Sequence, residues 1–287
     1  MCVLGVPWSE AAVNQHRPGW APDEVDIDMP SAARMYDYYL GGTHNFPADR
    51  ELAESALAMW PETPHMCRAN RAFLRRAVTF LARRGVDQFL DLGSGIPTEG
   101  NVHEVAQAVR PTARTVYVDS DPVAHAHGST LLANDAQSNY LRADLREPEE
   151  VLALAAAEGR LNLGRPVALL MLMTLHFVED ADDPGRIVET YRKMLAPNSF
   201  LVMSHGTNEY RPAETGGITS VYSRASHHIV PRDRIGIREL ISGWELADPG
   251  LVDVIHWRPE PRELAADPLG GDVARYSTLV AVGRNRN

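Results

Sequence analysis

Cysteine is nearly absent. Two residues, Cys2 and Cys67, in a chain of 287 exclude a disulfide framework, and neither has a Cys or His partner at zinc-ligand spacing. Free thiols suit a reducing compartment, so a cytoplasmic location is expected. Long apolar runs are missing too. The longest, Val167–Val178, is interrupted by Thr174 and His176 and falls short of the ~20 residues that cross a bilayer. No membrane partner is expected. Met1–Asn14 has no basic residue before Arg17 and carries Glu10, unlike a secretory signal. Positive charge is the minority sign: 28 Lys and Arg stand against 38 Asp and Glu, a net charge of −10. Such a balance argues against nonspecific binding to nucleic-acid phosphates. Internal repeats and low-complexity tracts are lacking. So are a Gly-x-Ser-x-Gly elbow and a phosphate-loop Gly-Lys-Ser/Thr. His125 and His127, and the pair His227-His228, lack further ligands at suitable spacing, and no metal is expected.

What is present is enough for a globular protein: 44% hydrophobic and 23% charged residues build a core and a solvated surface. The length fits one large domain or two small ones. Residues 1–28, with Pro7, Pro18, Gly19 and Pro22, read as a loosely packed arm. Residues 29–85 read as a helical cap or lid. Ser31 caps a helix over Ala32–Leu40 that stops at Gly41-Gly42; a second runs Asp49–Trp60 to Pro61, and a third Pro64–Arg84 to Gly85. In the third, Phe73, Leu74, Ala77, Val78 and Leu81 recur at helical spacing. Arg68, Arg71, Arg75, Arg76, Arg83 and Arg84 on the same helix read as a solvated basic face.

Residues 86–287 alternate. Strands are expected at Gln88–Leu92, Arg114–Val118, Ser138–Arg142, Val167–Met173 and Ser199–Ser204, with helices at Asn101–Val109, Pro122–Ala133, Pro148–Glu158 and Pro184–Leu195 between them. Thr207–Ser226 is polar and rich in Gly, Ser and Thr. A helix at Arg232–Ile241 precedes two further strands, Leu251–Trp257 and Tyr276–Val282, which suit an antiparallel edge pair. The sum is an α/β fold: a doubly wound, mainly parallel, seven-stranded sheet with an N-terminal helical cap.

Three strand ends carry the chemistry. Phe89-Leu90-Asp91-Leu92-Gly93-Ser94-Gly95 delivers an acid and then a turn whose glycines leave the backbone open to a ligand. Val116-Tyr117-Val118-Asp119 ends the next strand, where an acid can accept hydrogen bonds from both ribose hydroxyls of an adenine nucleoside. Asp119-Ser120-Asp121-Pro122 is equally a helix start; the reading assigns the ribose to Asp119 and the cap to Asp121. After the third strand, in Arg142-Ala143-Asp144-Leu145-Arg146, Asp144 can bind an adenine amine while Leu145 packs on the ring. The plainer reading of Asp144 is a loop acid paired with Arg142 or Arg146.

The first glycine turn is not Gly-x-Gly-x-x-Gly, since Thr98 takes the third position. The set resembles the class I S-adenosylmethionine-dependent methyltransferases, over about Val86–Val282. A narrower resemblance lies in Pro30-Ser31-Ala32-Ala33-Arg34-Met35-Tyr36-Asp37-Tyr38-Tyr39-Leu40-Gly41-Gly42-Thr43-His44-Asn45-Phe46. With the Asp91–Thr98 loop and Trp257-Arg258-Pro259, it is similar to an actinobacterial methyltransferase family formerly catalogued as a domain of unknown function. The resemblance implies S-adenosylmethionine as cofactor and S-adenosylhomocysteine as product. Cofactor contacts are expected from Asp91, Gly93, Ser94, Gly95, Asp119, Ser120, Asp144, Leu145 and Thr174. Tyr36 and Tyr39 can shield a sulfonium, Gly41 and Gly42 can turn the chain over it, and Arg34 can pair with the methionine carboxylate. His176, after the fourth strand, and His205, after the fifth, are candidate bases. The expected activity is in-line methyl transfer to a small-molecule acceptor. The alternatives are a non-catalytic regulatory protein binding the same ligands, and an NAD-dependent oxidoreductase.

Overall fold

The structure, a computed structural model, describes residues 17–97 and 100–286. Cys2, the first half of the arm and Thr98 lie outside the described residues. Among the described residues, three helices precede the sheet: α1 (Ala32–Tyr39), α2 (Pro47–Met59) and α3 (Thr63–Arg83). Five parallel strands follow: β1 (Gln88–Leu92), β2 (Arg114–Asp119), β3 (Ser138–Arg142), β4 (Ala168–Leu172) and β5 (Phe200–Gly206). The helices between them are α4 (Val102–Val109), α5 (Pro122–Leu131), α6 (Pro148–Ala156) and α7 (Pro184–Met194). After β5 come α8 (Pro212–Tyr222), α9 (Arg234–Leu240), β6 (Glu245–Leu246), β7 (Val252–Asp253), α10 (Pro261–Ala265), α11 (Val273–Tyr276) and β8 (Thr278–Arg284).

Strand order is β3-β2-β1-β4-β5-β8-β6, with β7 also on β8. The chain steps outward from β1 to β3, then returns to build β4 on the other side of β1. That reversal opens a crevice at the carboxyl ends of β1 and β4, where doubly wound sheets take ligands. β8 runs antiparallel to β5, so the sheet is mixed only at one edge. The described residues form eight strands where the sequence suggests seven. The run Leu251–Trp257 contributes just Val252 and Asp253, and Glu245–Leu246 pairs with the other end of β8. Trp257, a strand residue in the sequence reading, is instead a fully buried anchor packed edge-on to Phe73 and Phe80.

Apolar runs dictate this arrangement. β1 is buried throughout, and Leu90 and Leu92 face one core while Phe89 faces another. Period-two alternation puts successive residues on opposite faces, so a strand buried at every position needs cover on both. The stripe Phe73, Leu74, Ala77, Val78 and Leu81 of α3 supplies cover on one side. A third, smaller core gathers Met35, Tyr39, Leu52, Ala53, Ala56 and Cys67 with Tyr222 and Ala225. It joins α1, α2 and the start of α3 to α8. Thr207–Ser226, unassigned by periodicity, therefore holds a helix whose placement comes from this tertiary contact.

The arginines of α3 do not form one solvated face. Arg76 is largely buried and donates to the carbonyls of Trp257 and Val254 at 2.8 Å each and to Glu263 at 3.0 Å. Arg71 donates to the Gly100 carbonyl at 2.9 Å. No helix among the described residues is long and apolar enough to cross a membrane.

Candidate functional site

A cavity of about 510 Å³ lies over the carboxyl ends of β1–β5, within the ~300–1,000 Å³ usual for small-molecule sites. The sheet forms its floor; α1, α2, α3 and α8 form its walls.

At the β1 end, Gly93 and Gly95 adopt left-handed backbone, φ +63° and +65°. A Cβ on Gly93 would stand 2.3 Å from Thr174 Cγ2, so the turn closes against the end of β4 only with glycine there. The turn is stapled to β2. Gly93 N and Ser94 N donate to Val118 O at 2.8 and 3.1 Å, and Gly95 N donates to Asp119 Oδ2 at 2.8 Å. Tyr140 O–H donates to Gly95 O at 2.8 Å and receives Ser94 O–H at 2.8 Å. On the opposite bank, Met173 follows β4 at φ +55°, a conformation a bulky side chain rarely takes and one that clusters at functional sites.

Two buried carboxyls share this end. Burial pushes Asp91 up to about 7; the Arg71 guanidinium opposes the rise and Asp119 adds to it. Burial likewise raises Asp119 to about 6, despite amide donors from Asp121 and Gly95. A carboxylate raised this far is short of compensating charge or donors. Hydroxyl or ammonium groups of a ligand would supply them.

The helix-cap question is answered by geometry. Asp121 Oδ1 caps α5 through Val123 N and Ala124 N at 2.8 and 3.2 Å. Its Oδ2 accepts from Ser31 Oγ at 2.6 Å and Arg34 Nη1 at 3.2 Å. Asp119 is left facing the cavity beside Ser120.

The structure brings together most of the residues singled out by sequence. Arg34, Tyr36, Tyr39, Asp91, Gly93, Ser94, Gly95, Asp119, Ser120, Asp144, Leu145, Thr174 and His176 all line the cavity. Gly41 and Gly42 do not. They serve the turn after α1: a Cβ on Gly42 would fall 1.9 Å from Asp37 Oδ1. His205 does not line it either. Its Nδ1–H donates to Gly206 O at 2.6 Å, and its Nε2 accepts from Arg232 at 3.1 Å. Burial drives its pKa down to about 4. With the basic nitrogen facing a guanidinium, this imidazole has no lone pair to offer a substrate.

Arg34 is committed elsewhere. It donates to Asp49 at 2.8 Å, to Asp121 at 3.2 Å and to the Met29 carbonyl. It is a buried strut between α1, α2 and the start of α5. Asp144 is held by Arg146 through several bonds, the shortest 2.7 Å. Burial pushes its carboxyl up, but the Arg146 donors prevail and hold it below the ordinary value. The plainer reading of Asp144 is therefore realised, although the residue remains on the cavity wall.

Arg71 and Asn70 are site residues that sequence reasoning missed. Arg71 lines the cavity next to Asp91. The available signal is its place on the stripe Cys67, Arg71, Leu74, Val78, where a lone cation interrupts an apolar face. Asn70 Nδ2 donates to Tyr36 Oη at 3.0 Å, and Asn70 Oδ1 accepts from Ser204 Oγ at 2.7 Å. Trp60, Ile218 and Tyr222 also line the cavity; nothing local in the sequence marks them. Described arm residues Glu24, Val25 and Asp26 close one side, and Trp20 stacks on Phe46 at 5.1 Å. Among the described residues no group of three or more His, Cys, Asp or Glu is placed to hold a metal ion.

A doubly wound sheet with a reversed last strand, a glycine turn against β4 and an acid ending β2 defines a Rossmann-like methyltransferase. The comparisons make the assignment specific. A family model described as S-adenosyl methyltransferase matches residues 18–284, and the chain belongs to this family. A DUF574 family protein from Streptomyces avermitilis is similar in structure, with a TM-score of 0.84 and 38% identity over 91% of this chain and 100% of that one. A candidate methyltransferase from Thermobifida fusca has a TM-score of 0.85 and 37% identity over 94% of this chain and 100% of its own. No curated protein matches the chain. The protein is thus an S-adenosylmethionine-dependent methyltransferase.

Proposed function

We propose that the cavity holds S-adenosylmethionine along the ends of β1, β2 and β3 and presents its methyl group to a small-molecule acceptor beneath α1–α3 and α8. One observation carries this reading: the Gly93–Gly95 turn, Asp119 and Leu145, from three separate strand ends, meet in one cavity with Thr174 and His176. The residues fit the cofactor. Asp119 accepts the ribose hydroxyls, and Ser120 lies beside it. Leu145 packs on adenine, with Asp144 at its edge. Asp91 and Arg71 match an α-ammonium and an α-carboxylate, so Arg71 takes the role the sequence suggested for Arg34.

When bound, the cofactor supplies an electrophilic methyl group on sulfur. The protein positions and shields it. Tyr36 and Tyr39 exclude water from the methyl end; burial raises both phenol pKa values, so both stay neutral. Tyr36 is fixed by Asn70 and donates to Cys67 O at 3.1 Å. His176 is the group available to take the acceptor's proton. Its Nδ1 is buried without a hydrogen-bond partner, and burial, then His205 and Arg232, depress its pKa so that the ring is neutral. Alignment of acceptor and methyl carbon supplies much of the remaining rate enhancement. In domain terms, residues 29–85 are read as the cap, 86–287 as the binding core and 1–28 as an arm, whose described residues Glu24, Val25 and Asp26 lie on the cavity rim.

Parallel calorimetric titration with S-adenosylmethionine, S-adenosylhomocysteine and NAD tests the reading. Micromolar binding of both sulfur ligands with none for NAD is the expected result. NAD binding alone would transfer the site to the oxidoreductase alternative.

A further inference from the structure

The two ends of the cavity differ in charge. Every Asp, Glu and Arg on its wall belongs to the end over β1–β3 or to the arm and α1 beside it. Arg71 is bonded to Gly100 of the loop before α4, Arg34 to Asp121, Arg142 to Glu24, and Arg146 to Asp144. The other end, over β4 and β5, is walled by Tyr39, Trp60, Met66, Phe177, Ile218 and Tyr222. Among the described residues no Asp, Glu, Lys or Arg lines it. Arg211 lies over the Trp60 ring at 4.7 Å, but it is off the wall and paired with Glu214 at 3.0 Å.

The titratable groups at this end are neutral as well. Burial raises the Cys67 thiol and the Tyr222 phenol, which stays protonated opposite Tyr39 at 3.2 Å. Flat surfaces dominate: Phe177 packs on His176 with ring centroids 4.3 Å apart and lies 6.0 Å from Tyr222. The hydroxyls of Thr63, Thr207, Thr215 and Ser277, also on this wall, are paired with backbone groups; the polar atoms at the end of β4 are not. Thr174 Oγ1 and His176 Nδ1 are both buried and both lack a hydrogen-bond partner.

A charged acceptor would have to leave water for a chamber without a counter-ion, a large uncompensated cost. A neutral apolar ring would bury its faces against the aromatic wall at no such cost. A hydroxyl on that ring can donate to His176 Nδ1 and accept from the Thr174 hydroxyl, pairing both groups.

We infer that the acceptor is an uncharged, ring-bearing hydroxyl compound of the phenol class, methylated on oxygen in the chamber formed by Tyr39, Trp60, Phe177, Ile218 and Tyr222. This rests on the cofactor assignment above. In the step, the acceptor O–H proton passes to His176. An oxygen lone pair forms the new bond to the methyl carbon. The carbon–sulfur bond breaks with both electrons returning to sulfur, leaving neutral S-adenosylhomocysteine.

The test titrates the full chain, saturated with S-adenosylhomocysteine, with three probes of matched size: 2-naphthol, 2-naphthoate and 2-naphthylmethylammonium. 2-Naphthol should bind at least about tenfold more tightly than either ion, reflecting the cost of stranding a charge. With S-adenosylmethionine it should yield the methyl ether by mass spectrometry. Equal or tighter binding of either ion, or no binding of any probe to the saturated protein, overturns the inference while the cofactor assignment stands. Failure of S-adenosylhomocysteine to bind at the outset overturns both. Ile218→Lys, a half-buried position on α8, provides the second arm. It should shift preference toward 2-naphthoate by about tenfold and keep S-adenosylhomocysteine affinity within about twofold. An unchanged preference in a folded variant also overturns the inference.

Discussion

Asp119 and Asp121 show how two residues of one type, two positions apart, are separated by what surrounds them. Asp121 caps a helix and binds Ser31 and Arg34; Asp119 faces the cavity. Their substitutions should separate in the same way. Asp119→Ala is expected to lower S-adenosylhomocysteine affinity at least about tenfold, because it removes the charge-assisted bonds proposed to the ribose, with a thermal cost confined to the Gly95 and Asp121 amides it leaves unpaired. Asp121→Ala should lower unfolding stability by about 1–2 kcal/mol for the lost cap alone. Titration and thermal melts of both variants check this. A pH dependence follows from the same carboxyls. Asp91 and Asp119 are raised in the fold to about 7 and 6, well above an unfolded carboxyl, so the ligand-free fold binds their protons more tightly than the unfolded chain does. Their contribution to stability is fully present below pH ~4 and is lost as pH rises to ~7. A ligand that donates to the ionised forms reverses the preference. S-adenosylhomocysteine affinity should fall as pH is lowered from 8 to 5.5, steepening below pH 7, and calorimetry across that range reads it directly.

At the scale of elements, the cap is tied to the core by polar links as well as apolar packing. Arg34 joins α1 to Asp49 at the start of α2 and to Asp121 at the start of α5, with both carboxylates and the guanidinium largely buried. Removing the cation leaves two buried acids. Arg34→Met should therefore cost about 3–5 kcal/mol in urea unfolding, the usual penalty for breaking a buried pair from one side. The β1 turn depends on glycine for a different reason. Gly93→Ala puts a methyl into Thr174 at a left-handed φ, so β1 and β4 must part at the proposed cofactor site. Loss of S-adenosylhomocysteine binding is expected, with a destabilisation of about 1–3 kcal/mol. Binding at wild-type strength would show that the turn can relax without disturbing the site.

For the molecule as a whole, the site exists only where separate layers meet: strand ends below, three N-terminal helices and α8 above. A ligand bound across that junction should stabilise the entire fold. At a hundredfold excess over Kd, S-adenosylhomocysteine should add about 2.7 kcal/mol, visible as a rise of several degrees in Tm. NAD at equal concentration should leave Tm unchanged.

The sequence by itself determined the parallel core and marked the acids and the glycine turn at its strand ends. Strands apolar at every position require cover on both faces, and Asp91–Gly95 and Asp119 announce themselves because strand-end acids and glycine turns are local patterns. It also marked the N-terminal helices, whose Pro and Gly breakers are local signals, although Ser31 precedes α1 without capping it and turns its hydroxyl to Asp121 instead. Only the tertiary structure decided which candidates reach the cavity. Arg34 carries the same signature whether it meets a ligand or Asp49 and Asp121. His205 looks like His176 until Arg232 is seen at its Nε2. Gly41 and Gly42 turn the chain beside Asp37 rather than over the site. Arg71 enters from a helix face read as solvated, and Tyr222 and Ile218 enter from a helix that periodicity leaves unassigned. Local patterns fix backbone conformation and burial, whereas a side chain's partner is set by residues up to two hundred positions away, brought near only when the layers close.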